Sequence, residues 1–351
     1  MSDEAVPRGQ AMTDAQSGRW EEVLAALAGM LPTGAACVVV DGAGDHAAQV
    51  ADRLAHALSS DGRLCTRLTG GTSPPSDDTW HADRSPGAVT LADGPRLRAR
   101  PPATGWDVVV WLSCRPTGHS PNVGGERDAD IVIDLRDETW PVIRHVARRL
   151  AGHSRWYITE SRAFFATRAA TWDTKFGDDM PAYTAAVDEA GIPVGAAVID
   201  VGCGTGRALP ALRSAVGPTG VVIGLDLTPQ MLAVAKAGGR AQHAALLVGD
   251  ARHLPLGDAS VHTVFTAGLV NHLPHIGEGL AELARVARPG GRLVIFHPSG
   301  RAALAARHGR TLDPDEPLAR KRLGPLLAGA GWHLDGYDDA PHRFLALATR
   351  R

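Results

Sequence analysis

The chain has 351 residues, of which 44% are hydrophobic and 21% are charged, and its formal net charge is −2. This length and composition predict two folded domains with full hydrophobic cores. The small net charge argues against binding of nucleic acid through a strongly basic surface.

Cysteine usage and hydropathy indicate the compartment. The four cysteines are scattered and form no Cys-x-x-Cys pair, which argues against a zinc site or a disulfide framework. Apolar runs are too short to cross a membrane, and the N-terminus lacks the pattern of a signal peptide. We therefore expect a cytoplasmic protein with no membrane partner.

The first predicted domain covers residues 19–152 and follows a polar segment, residues 1–18, which we expect to be a disordered tail. Continuous apolar character, typical of a parallel sheet covered on both faces, predicts strands at 36–44, 106–112 and 128–135. Apolar periodicity predicts helices at 19–31, 46–60 and 139–152, the last with Pro141 in its first turn. Residues 70–105 are rich in Gly, Pro, Ser and Asp and are predicted to be mostly loops.

The second predicted domain, residues 153–351, alternates strands and helices, which favours another parallel sheet. The predicted strands are 197–201, 221–225, 245–248, 261–266 and 291–296. The predicted helices are 160–176 and about 206–215, 229–238, 277–287 and 317–330. The final twenty residues, WHLDGYDDAPHRFLALATRR, are predicted to form a pair of strands.

A glycine turn, DVGCGTG (residues 200–206), follows the first strand of this second domain. A dinucleotide-binding turn has the pattern Gly-x-Gly-x-x-Gly, or the same pattern ending in Ala. If the pattern starts at Gly202, its last position is Arg207, and if it starts at Gly204, its last position is Leu209. Neither residue is small, so the pattern is absent. The Gly-Lys-Ser/Thr of a phosphate-binding P-loop is also absent from this turn. The turn therefore indicates a ligand other than a dinucleotide or a phosphate chain.

The acidic-x-Gly-x-Gly-x-Gly turn resembles the first motif of class I S-adenosylmethionine (SAM)-dependent methyltransferases. Later segments resemble further motifs of that family in the same order: GLDLTPQML, LLVGDARHLPL, VFTAGLVNHL and ELARVARPGGRLVIF. FFATRAATWD resembles the helix that covers the cofactor in many members that act on small molecules. The resemblance covers about residues 155–351 and implies a Rossmann-like α/β fold that binds SAM.

The resemblance also implies roles for individual residues. Asp200 would serve the cationic amino group of SAM through water, Asp226 would accept both ribose hydroxyls, and Asp250 would meet the adenine amino group. The Ala251 amide would lie beside the adenine ring. The other expected cofactor-binding residues are Gly202, Cys203, Gly204, Gly206, Leu227, Met231, Thr266 and Trp172.

Methyl transfer from a sulfonium is an in-line displacement in which the protein mainly positions the reactants, and it requires no metal. A general base is needed only where the acceptor must lose a proton. His272, after the fourth strand, and His297, after the fifth, are the catalytic candidates because open α/β sheets bind ligands there. The alternatives are that His272 orients its loop or lines the pocket, and that His297 bonds the backbone of the following turn.

Other side chains near these motifs have simpler interpretations. His275 is expected at the surface, and Arg301 either holds an anionic substrate or is solvated, with the second alternative favoured. Phe165 and Trp172 are expected to pack in the core or in the cover of the site.

The segment VVVDGAGDHAAQVADRLAHAL is similar to the start of uridine-kinase-like P-loop proteins, and the similarity covers about residues 34–152. Asp45 stands where the phosphate-binding Lys belongs, and His46 where the magnesium-binding hydroxyl belongs. An Asp at ~4 Å repels each negative charge by roughly 4 kcal/mol at an effective dielectric constant near ~20. We therefore predict a degenerate kinase-like domain that transfers no phosphate and is retained for packing, dimerisation or substrate docking.

These inferences predict an α/β protein in which a smaller P-loop-kinase-like domain precedes a Rossmann-like class I methyltransferase domain. Its predicted function is methyl transfer from SAM to a small molecule, which the family resemblance suggests is a specialised metabolite. Nucleic acid is not expected as a partner, and a homodimer through the first domain is open. The alternatives are a nucleoside or nucleotide kinase acting through the first domain, and a protein that binds SAM without methylating.

Overall fold

The computed structural model describes residues 12–42, 45–69, 80, 85–114, 128–152, 155–175 and 178–351, without the side chains of Arg155 and Lys175. The chain divides into two compact units, Met1–Glu160 and Ser161–Arg351. This boundary lies later than the predicted one, residue 152, and falls inside a helix, Arg155–Ala166.

The first unit contains, among its described residues, a six-stranded sheet with the order β2-β3-β1-β4-β5-β6. Neighbouring strands pair in parallel except β5 and β6, which are antiparallel. The strands are β1 (Ala36–Gly42), β2 (Cys65–Leu68), β3 (Val89–Asp93), β4 (Val108–Ser113), β5 (Ile131–Asp134) and β6 (Val142–Val146). The helices are α1 (Asp14–Met30), α2 (His46–Ser60) and α3 (Gly94–Arg98).

Helix α1 begins earlier than predicted, so the expectation of a tail through residue 18 is wrong for residues 14–18. Thr13 and Gln16 form a capping box in which each side chain bonds the other's backbone N–H, and this satisfies donors that a helix start leaves free. Trp20 and Leu27 on the same helix are buried in the core of the unit. The predicted tail residues 1–11 lie outside the described part of the chain.

The helix predicted at 139–152 is wrong, because this segment contains strand β6 and pairs with β5 in antiparallel register. Val142, Ile143 and Val146 are buried, and such β-branched side chains pack well on a pleated sheet. Pro141 directly precedes the strand, a position that requires no N–H for the ladder. The spacing of the apolar residues in this segment also fits a helix, but pairing with β5 makes the segment a strand.

The prediction that residues 70–105 are mostly loops is also wrong where the structure describes them. Strand β3 lies between β1 and β2, and helix α3 follows it directly. The strand is short, with the sequence VTLAD, and its first four residues are buried. Such a short apolar run among Gly and Pro residues resembles a loop in sequence, and its pairing on both sides makes it a central strand.

The second unit contains a seven-stranded sheet with the order β12-β13-β11-β10-β7-β8-β9. Strands β7 to β11 pair in parallel, and β13 pairs antiparallel with both β11 and β12. The strands are β7 (Ala197–Val201), β8 (Val221–Asp226), β9 (Ala245–Val248), β10 (Val261–Ala267), β11 (Ala287–His297), β12 (Trp332–Ala340) and β13 (Arg343–Arg350). All of the strands predicted for this domain are therefore present, including the C-terminal pair.

The helices of the second unit flank this sheet along the chain. They are the end of α4 (Arg155–Ala166), then α5 (Met180–Ala190), α6 (Leu209–Val216), α7 (Pro229–Ala237), α8 (Ile276–Val286), α9 (Arg301–Arg307) and α10 (Arg320–Gly329). The helix predicted over 160–176 is shorter than expected, because it ends at Ala166. Two 3₁₀ turns, Ala169–Thr171 and Asp173–Lys175, follow it. Helices α5 and α9 were not predicted.

The sheet order positions the site. The carboxyl ends of parallel strands meet at one edge, and the order reverses at β7, which lies between β8 and β10. Ligands of open α/β sheets bind at the carboxyl edge next to such a reversal. The glycine turn follows β7 at this edge, and Asp226 is the last residue of β8.

Candidate cofactor and active site

The three glycines of the turn have backbone conformations that other residues rarely adopt. Gly202, Gly204 and Gly206 have φ angles of +72°, +54° and +80°. A Cβ on Gly206 would lie 2.9 Å from Leu209 Cδ1, whereas a Cβ on Gly204 would meet no heavy atom within 4 Å. The glycines therefore serve two purposes: Gly206 allows close packing, and Gly204 presents bare backbone to open space, where a ligand can approach.

Strand β8 anchors one side of this turn. The backbone N–H groups of Gly202 and Cys203 donate to Leu225 O, over 2.8 and 3.0 Å. The Asp226 carboxylate accepts from Gly204 N through Oδ2 and from Thr228 N through Oδ1, both over 2.8 Å. Burial raises the pKa of Asp226, and the backbone donors oppose that effect. Since each carboxylate oxygen has two lone pairs, both can accept a further hydrogen bond.

Asp200 is the most unusual acid of the site. Its side chain is 2% exposed, and Oδ1 has no hydrogen-bond partner in the described part of the protein. Burial raises the pKa of Asp200 to about 8, and the nearby charge of Asp226 adds to the shift. A buried carboxylate oxygen without a hydrogen-bond partner is costly, and a cation beside it would relieve that cost.

Asp250 lies just after β9 and is bound by its neighbour. The backbone N–H, Nε and Nη2 of Arg252 all donate to its carboxylate, over 2.7 to 3.1 Å. Burial favours a higher pKa for Asp250, but Arg252 outweighs it and holds the pKa below its usual value. The predicted contact of Asp250 with adenine would have to share these oxygens with Arg252. The adjacent Ala251 is buried.

Aromatic side chains surround His272, which lies at the end of a 3₁₀ turn after β10. The ring centroid of Phe165 lies 5.2 Å from that of His272 and 5.7 Å from that of Trp172. Phe164 stacks edge-on against Phe165 at 4.9 Å and lies 6.4 Å from His272. The structure thus brings together the predicted cover residues and one predicted catalytic histidine.

The second catalytic candidate, His297, is bonded to the following turn. Ser299 N donates to His297 Nδ1 over 3.0 Å, and burial lowers the pKa of the ring. This is the backbone-binding alternative that the sequence left open. His275, expected at the surface, is half-buried at the start of α8.

Arg301 contradicts the expectation of a solvated side chain. It is 13% exposed, its Nε donates to Asp339 Oδ2 over 2.9 Å, and its Nη1 donates to Glu316 Oε1 over 3.1 Å. The guanidinium is therefore held by carboxylates of its own unit, which also leaves it less suited to the alternative role of holding an anionic substrate.

The remaining predicted cofactor residues lie near the same sheet edge. Cys203 is buried in the glycine turn, and burial raises the pKa of its thiol. Met231 is buried in the first turn of α7, and Leu227 O accepts a hydrogen bond from Arg162 Nε over 3.0 Å. Thr266 is fully buried near the end of β10, and its Oγ1 lacks a hydrogen-bond partner within the described residues.

An ion-paired cluster that was not predicted from the sequence lies beside the glycine turn, and we call it the Asp173–Arg207 cluster. It consists of Asp173, Asp179, Arg207 and Arg240, together with Thr205 of the turn. In the sequence, Arg207 indicated only that the turn lacks the small residue of a dinucleotide fingerprint. Partners that lie so far apart in the chain leave no local pattern, so the sequence carries no signal for this cluster.

The described residues contain neither a metal-binding cluster nor a helix that could span a membrane. Among them, no group of three or more His, Cys, Asp or Glu side chains is arranged to hold a metal ion. None of the helices in the described part of the chain is long and apolar enough to cross a membrane.

Comparison with known proteins identifies the second unit. Residues 199–295 match the family model described as a methyltransferase domain. The C-terminal half contains a class I SAM-dependent methyltransferase domain. It has the expected Rossmann-like α/β fold, and its cofactor is SAM.

Two relatives illustrate the extent of the similarity. The chain is 39% identical over 107 residues to an uncharacterized 37.1 kDa protein in transposon TN4556 from Streptomyces fradiae. The aligned region covers 30% of this chain and 30% of the relative. It is 37% identical over 111 residues to a demethylmenaquinone methyltransferase from Shouchella clausii, covering 31% of this chain and 47% of the relative. The chain thus spans less than half the length of either relative.

A solved structure of a SAM-dependent methyltransferase from Aquifex aeolicus aligns with 53% of this chain and 98% of its own chain. The two share 24% sequence identity, and the TM-score is 0.44.

The site geometry fits SAM on observations of this chain alone. Asp200 presents a buried oxygen without a hydrogen-bond partner in the described residues, which suits a cationic amino group. Gly204 presents open backbone, and Asp226 beside it keeps acceptor capacity for hydroxyl groups.

Proposed function

We propose that this protein transfers a methyl group from SAM to a small-molecule acceptor. The observation that carries the proposal is the buried, raised-pKa carboxylate of Asp200 beside the open glycine turn at the carboxyl edge of β7. Such a site favours a ligand with a positively charged group at the glycine turn. A dinucleotide would instead place its negatively charged pyrophosphate there. SAM carries an ammonium group and, on its sulfonium, an activated methyl group.

We assign the cofactor contacts as follows. Asp226 accepts the ribose hydroxyls, since its two oxygens are already oriented by Gly204 N and Thr228 N. Asp200 neutralises the ammonium group, and Ala251 lies beside the adenine ring. The remaining proposed cofactor contacts are Gly202, Cys203, Gly204, Gly206, Leu227, Met231, Asp250, Thr266 and Trp172.

In this mechanism the chain mainly positions the acceptor and excludes water. Good orientation of two reactants can contribute roughly 7–11 kcal/mol towards lowering a barrier. Phe165 and Trp172 supply apolar surface next to His272, which suits this task. His272 is the proposed general base for an acceptor that must lose a proton, and His297 instead fixes the turn that follows β11.

The role of His272 predicts a separation of kinetic constants. His272→Asn should lower kcat by ~10²–10⁴-fold and leave the affinity for SAM unchanged, because a general base contributes about that much. His275→Asn is the matched control, since it changes a nearby histidine outside the aromatic cluster, and it should retain kcat. Equal kcat values for the His272 variant and the wild type would remove the base from the mechanism.

The acceptor class is the finer part of the proposal. The ring cluster of Phe164, Phe165 and Trp172 favours an acceptor with a flat apolar part, because aromatic rings stack favourably on such groups. The similarity to a demethylmenaquinone methyltransferase agrees with this chemistry. We propose a specialised metabolite as the natural acceptor.

Product analysis tests the activity directly. The full-length protein would be incubated with methyl-labelled SAM and metabolite extracts, and products would be examined by mass spectrometry. The proposal predicts a product that gains one methyl group together with equimolar S-adenosylhomocysteine. Cofactor that binds but is never consumed would instead support the alternative of a SAM-binding protein that does not methylate.

We propose that the first unit is a degenerate kinase-like scaffold. Its strand order reverses at β1, so the carboxyl end of β1 lies at the position where α/β folds bind ligands. At the start of α2, Asp45 makes no capping hydrogen bond, and His46 Nε2 lies 3.3 Å from Glu138 Oε1. An acid and an acid-paired histidine disfavour phosphate there.

The kinase alternative is tested by ATP consumption with candidate nucleosides. Our proposal predicts no turnover above background, and robust turnover would establish the kinase instead.

We further propose a cytoplasmic location, which the four free cysteines favour. Homodimerisation through the first unit stays a prediction that analytical ultracentrifugation of the full chain would check.

A further inference from the structure

We propose that Arg207 and Asp173 are positioning residues that set the affinity for SAM by holding the glycine turn at Thr205. The inference rests on the proposed function and deepens it. Neither residue is assigned a contact with the cofactor. Asp173 acts through the hydroxyl of Thr205, and Arg207 acts through Asp173. Asp173 also belongs to the 3₁₀ turns at residues 169–175, next to Trp172.

The contacts of Asp173 reach two parts of the site. Its Oδ1 accepts from Thr205 Oγ1 over 2.5 Å and lies 3.3 Å from Arg207 Nη1. Its Oδ2 accepts from Arg240 Nη1 over 2.6 Å, and the same nitrogen donates to Thr205 O over 2.8 Å. Thr205 is thus held both by its hydroxyl and by its carbonyl.

Arg207 is the least exposed charged side chain of the cluster. Its side chain is 6% exposed and pairs with Asp179 as well as with Asp173. Its guanidinium carbon also lies 5.9 Å from the ring centroid of Tyr183 in helix α5. The cluster contains two acids and two arginines, so its charges balance. The removal of any one charged member leaves an excess charge beside the largely buried Arg207 and Asp179 or on one of them.

The glycine turn needs such support because its own residues provide little rigidity. Glycines at positive φ retain more backbone freedom in the absence of restraining contacts than other residues do. Strand β8 fixes Gly202, Cys203 and Gly204 through Leu225 O and Asp226. Thr205 is fixed by the Asp173–Arg207 cluster. A turn ordered before binding spares the ligand the entropic cost of ordering it.

Calorimetric titration of the full-length protein with SAM tests this inference. The variants are Asp173→Asn, which is mild, and Arg207→Met, with Arg207→Lys as the conservative replacement. The matched control is Arg285→Met, because Arg285 also bridges two carboxylates in the same unit, those of Glu282 and Asp258. Hydrogen exchange of peptides that cover residues 169–175 and 202–206 reports local order without the cofactor.

We expect Asp173→Asn and Arg207→Met to raise the Kd for SAM by about tenfold or more, with kcat at saturating SAM unchanged. Exchange should rise in both segments, while strand β7 keeps its protection. Arg207→Lys should recover part of the affinity, because an ammonium can satisfy one carboxylate but lacks the fork that bridges two. A purely structural role would lower the melting temperature without producing this pattern.

Two results would overturn the inference. One is a Kd for SAM within twofold of the wild type in a folded Asp173→Asn or Arg207→Met protein. The other is an equal loss of affinity in Arg285→Met. Failure of the wild type itself to bind SAM is a different outcome, because it overturns the proposed function and this inference with it.

Discussion

Two carboxylates in the site have opposite environments, and this difference assigns their tasks. Asp226 accepts two backbone hydrogen bonds, whereas Asp200 Oδ1 accepts none from the described residues. Asp226 is thus suited to accept hydrogen bonds from hydroxyl groups, and Asp200 is suited to pair with a positively charged group of a ligand. The sequence predicted both residues as cofactor contacts, but it could not separate their environments, because these depend on burial and on backbone geometry.

Replacement of Asp226 by Ala should weaken SAM binding severely. Hydrogen bonds to a charged group contribute roughly 1.5–3 kcal/mol each, so the loss of two predicts a Kd higher by about 10²–10⁴-fold. Calorimetry measures the Kd, and circular dichroism checks that the fold survives. Asp258→Ala is the control, because this exposed acid lies away from the glycine turn. Wild-type affinity in the Asp226 variant would remove its assigned role.

The raised pKa of Asp200 predicts a pH-dependent stability of the cofactor-free protein. The pKa of Asp200 is about 8 in the fold, whereas that of an unperturbed Asp is 3.8, so the folded state holds the proton more tightly. This contribution is complete below about pH 4 and is lost as pH rises towards about 8. The loss amounts to about 1.4 kcal/mol for each pH unit within that window.

Urea unfolding between pH 5 and pH 7.5 tests this prediction. The free energy of unfolding of Asp200→Asn should increase relative to that of the wild type as the pH rises, because the variant has no proton to lose. Asp188→Asn, at an exposed position of α5, should show no such trend. Parallel pH profiles for the wild type and Asp200→Asn would contradict a raised pKa.

At the scale of elements, the buried pair of Arg19 and Glu160 connects helix α1 to the first half of α4. The two side chains are 2% and 4% exposed, and Glu160 Oε2 also accepts from Ile143 N of β6, over 2.6 Å. Arg19 Nε additionally donates to Pro141 O over 2.9 Å. One ion pair thus fixes three elements of the first unit, including the strand that the sequence failed to predict.

Removal of one member of this pair should be strongly destabilising. Arg19→Met leaves Glu160 buried without its charge partner, which typically costs about 3–5 kcal/mol. The double variant Arg19→Met/Glu160→Leu should recover most of that loss, because no charge then remains buried. Denaturant unfolding followed by circular dichroism gives both values. A single variant as stable as the wild type would show that the pair contributes nothing.

The elements also show which parts of the fold a sequence can reveal. Strands β7 to β10 were predicted to within a residue at either end, because each is a clear apolar run between turn residues. The segment VIRHV in β6 fits a helix or a strand equally well, and only its pairing with β5 decides between them. The Asp173–Arg207 cluster joins residues far apart in the chain, so local patterns could not reveal it. Asp250 and Arg252, by contrast, are close enough in sequence for their pairing to be anticipated.

At the scale of the whole molecule, we propose that the second unit carries out methyl transfer and that the first unit transfers no phosphate. Asp45→Ala should therefore leave the methyl-transfer rate unchanged. Its side chain is exposed and makes no capping bond, so stability should change by less than about 0.5 kcal/mol. Steady-state rates and thermal melting check both expectations. A large drop in rate would mean that Asp45 takes part in the methyl-transfer reaction.

The central claim is that residues 200–206, with Asp226, bind SAM. Crystals of the full-length protein soaked with SAM would test it most directly. We expect the methionine part beside the glycine turn and both ribose hydroxyls within hydrogen-bond distance of the Asp226 carboxylate. Well-diffracting crystals in which the cofactor is absent from the turn, or bound elsewhere on the chain, would contradict the claim.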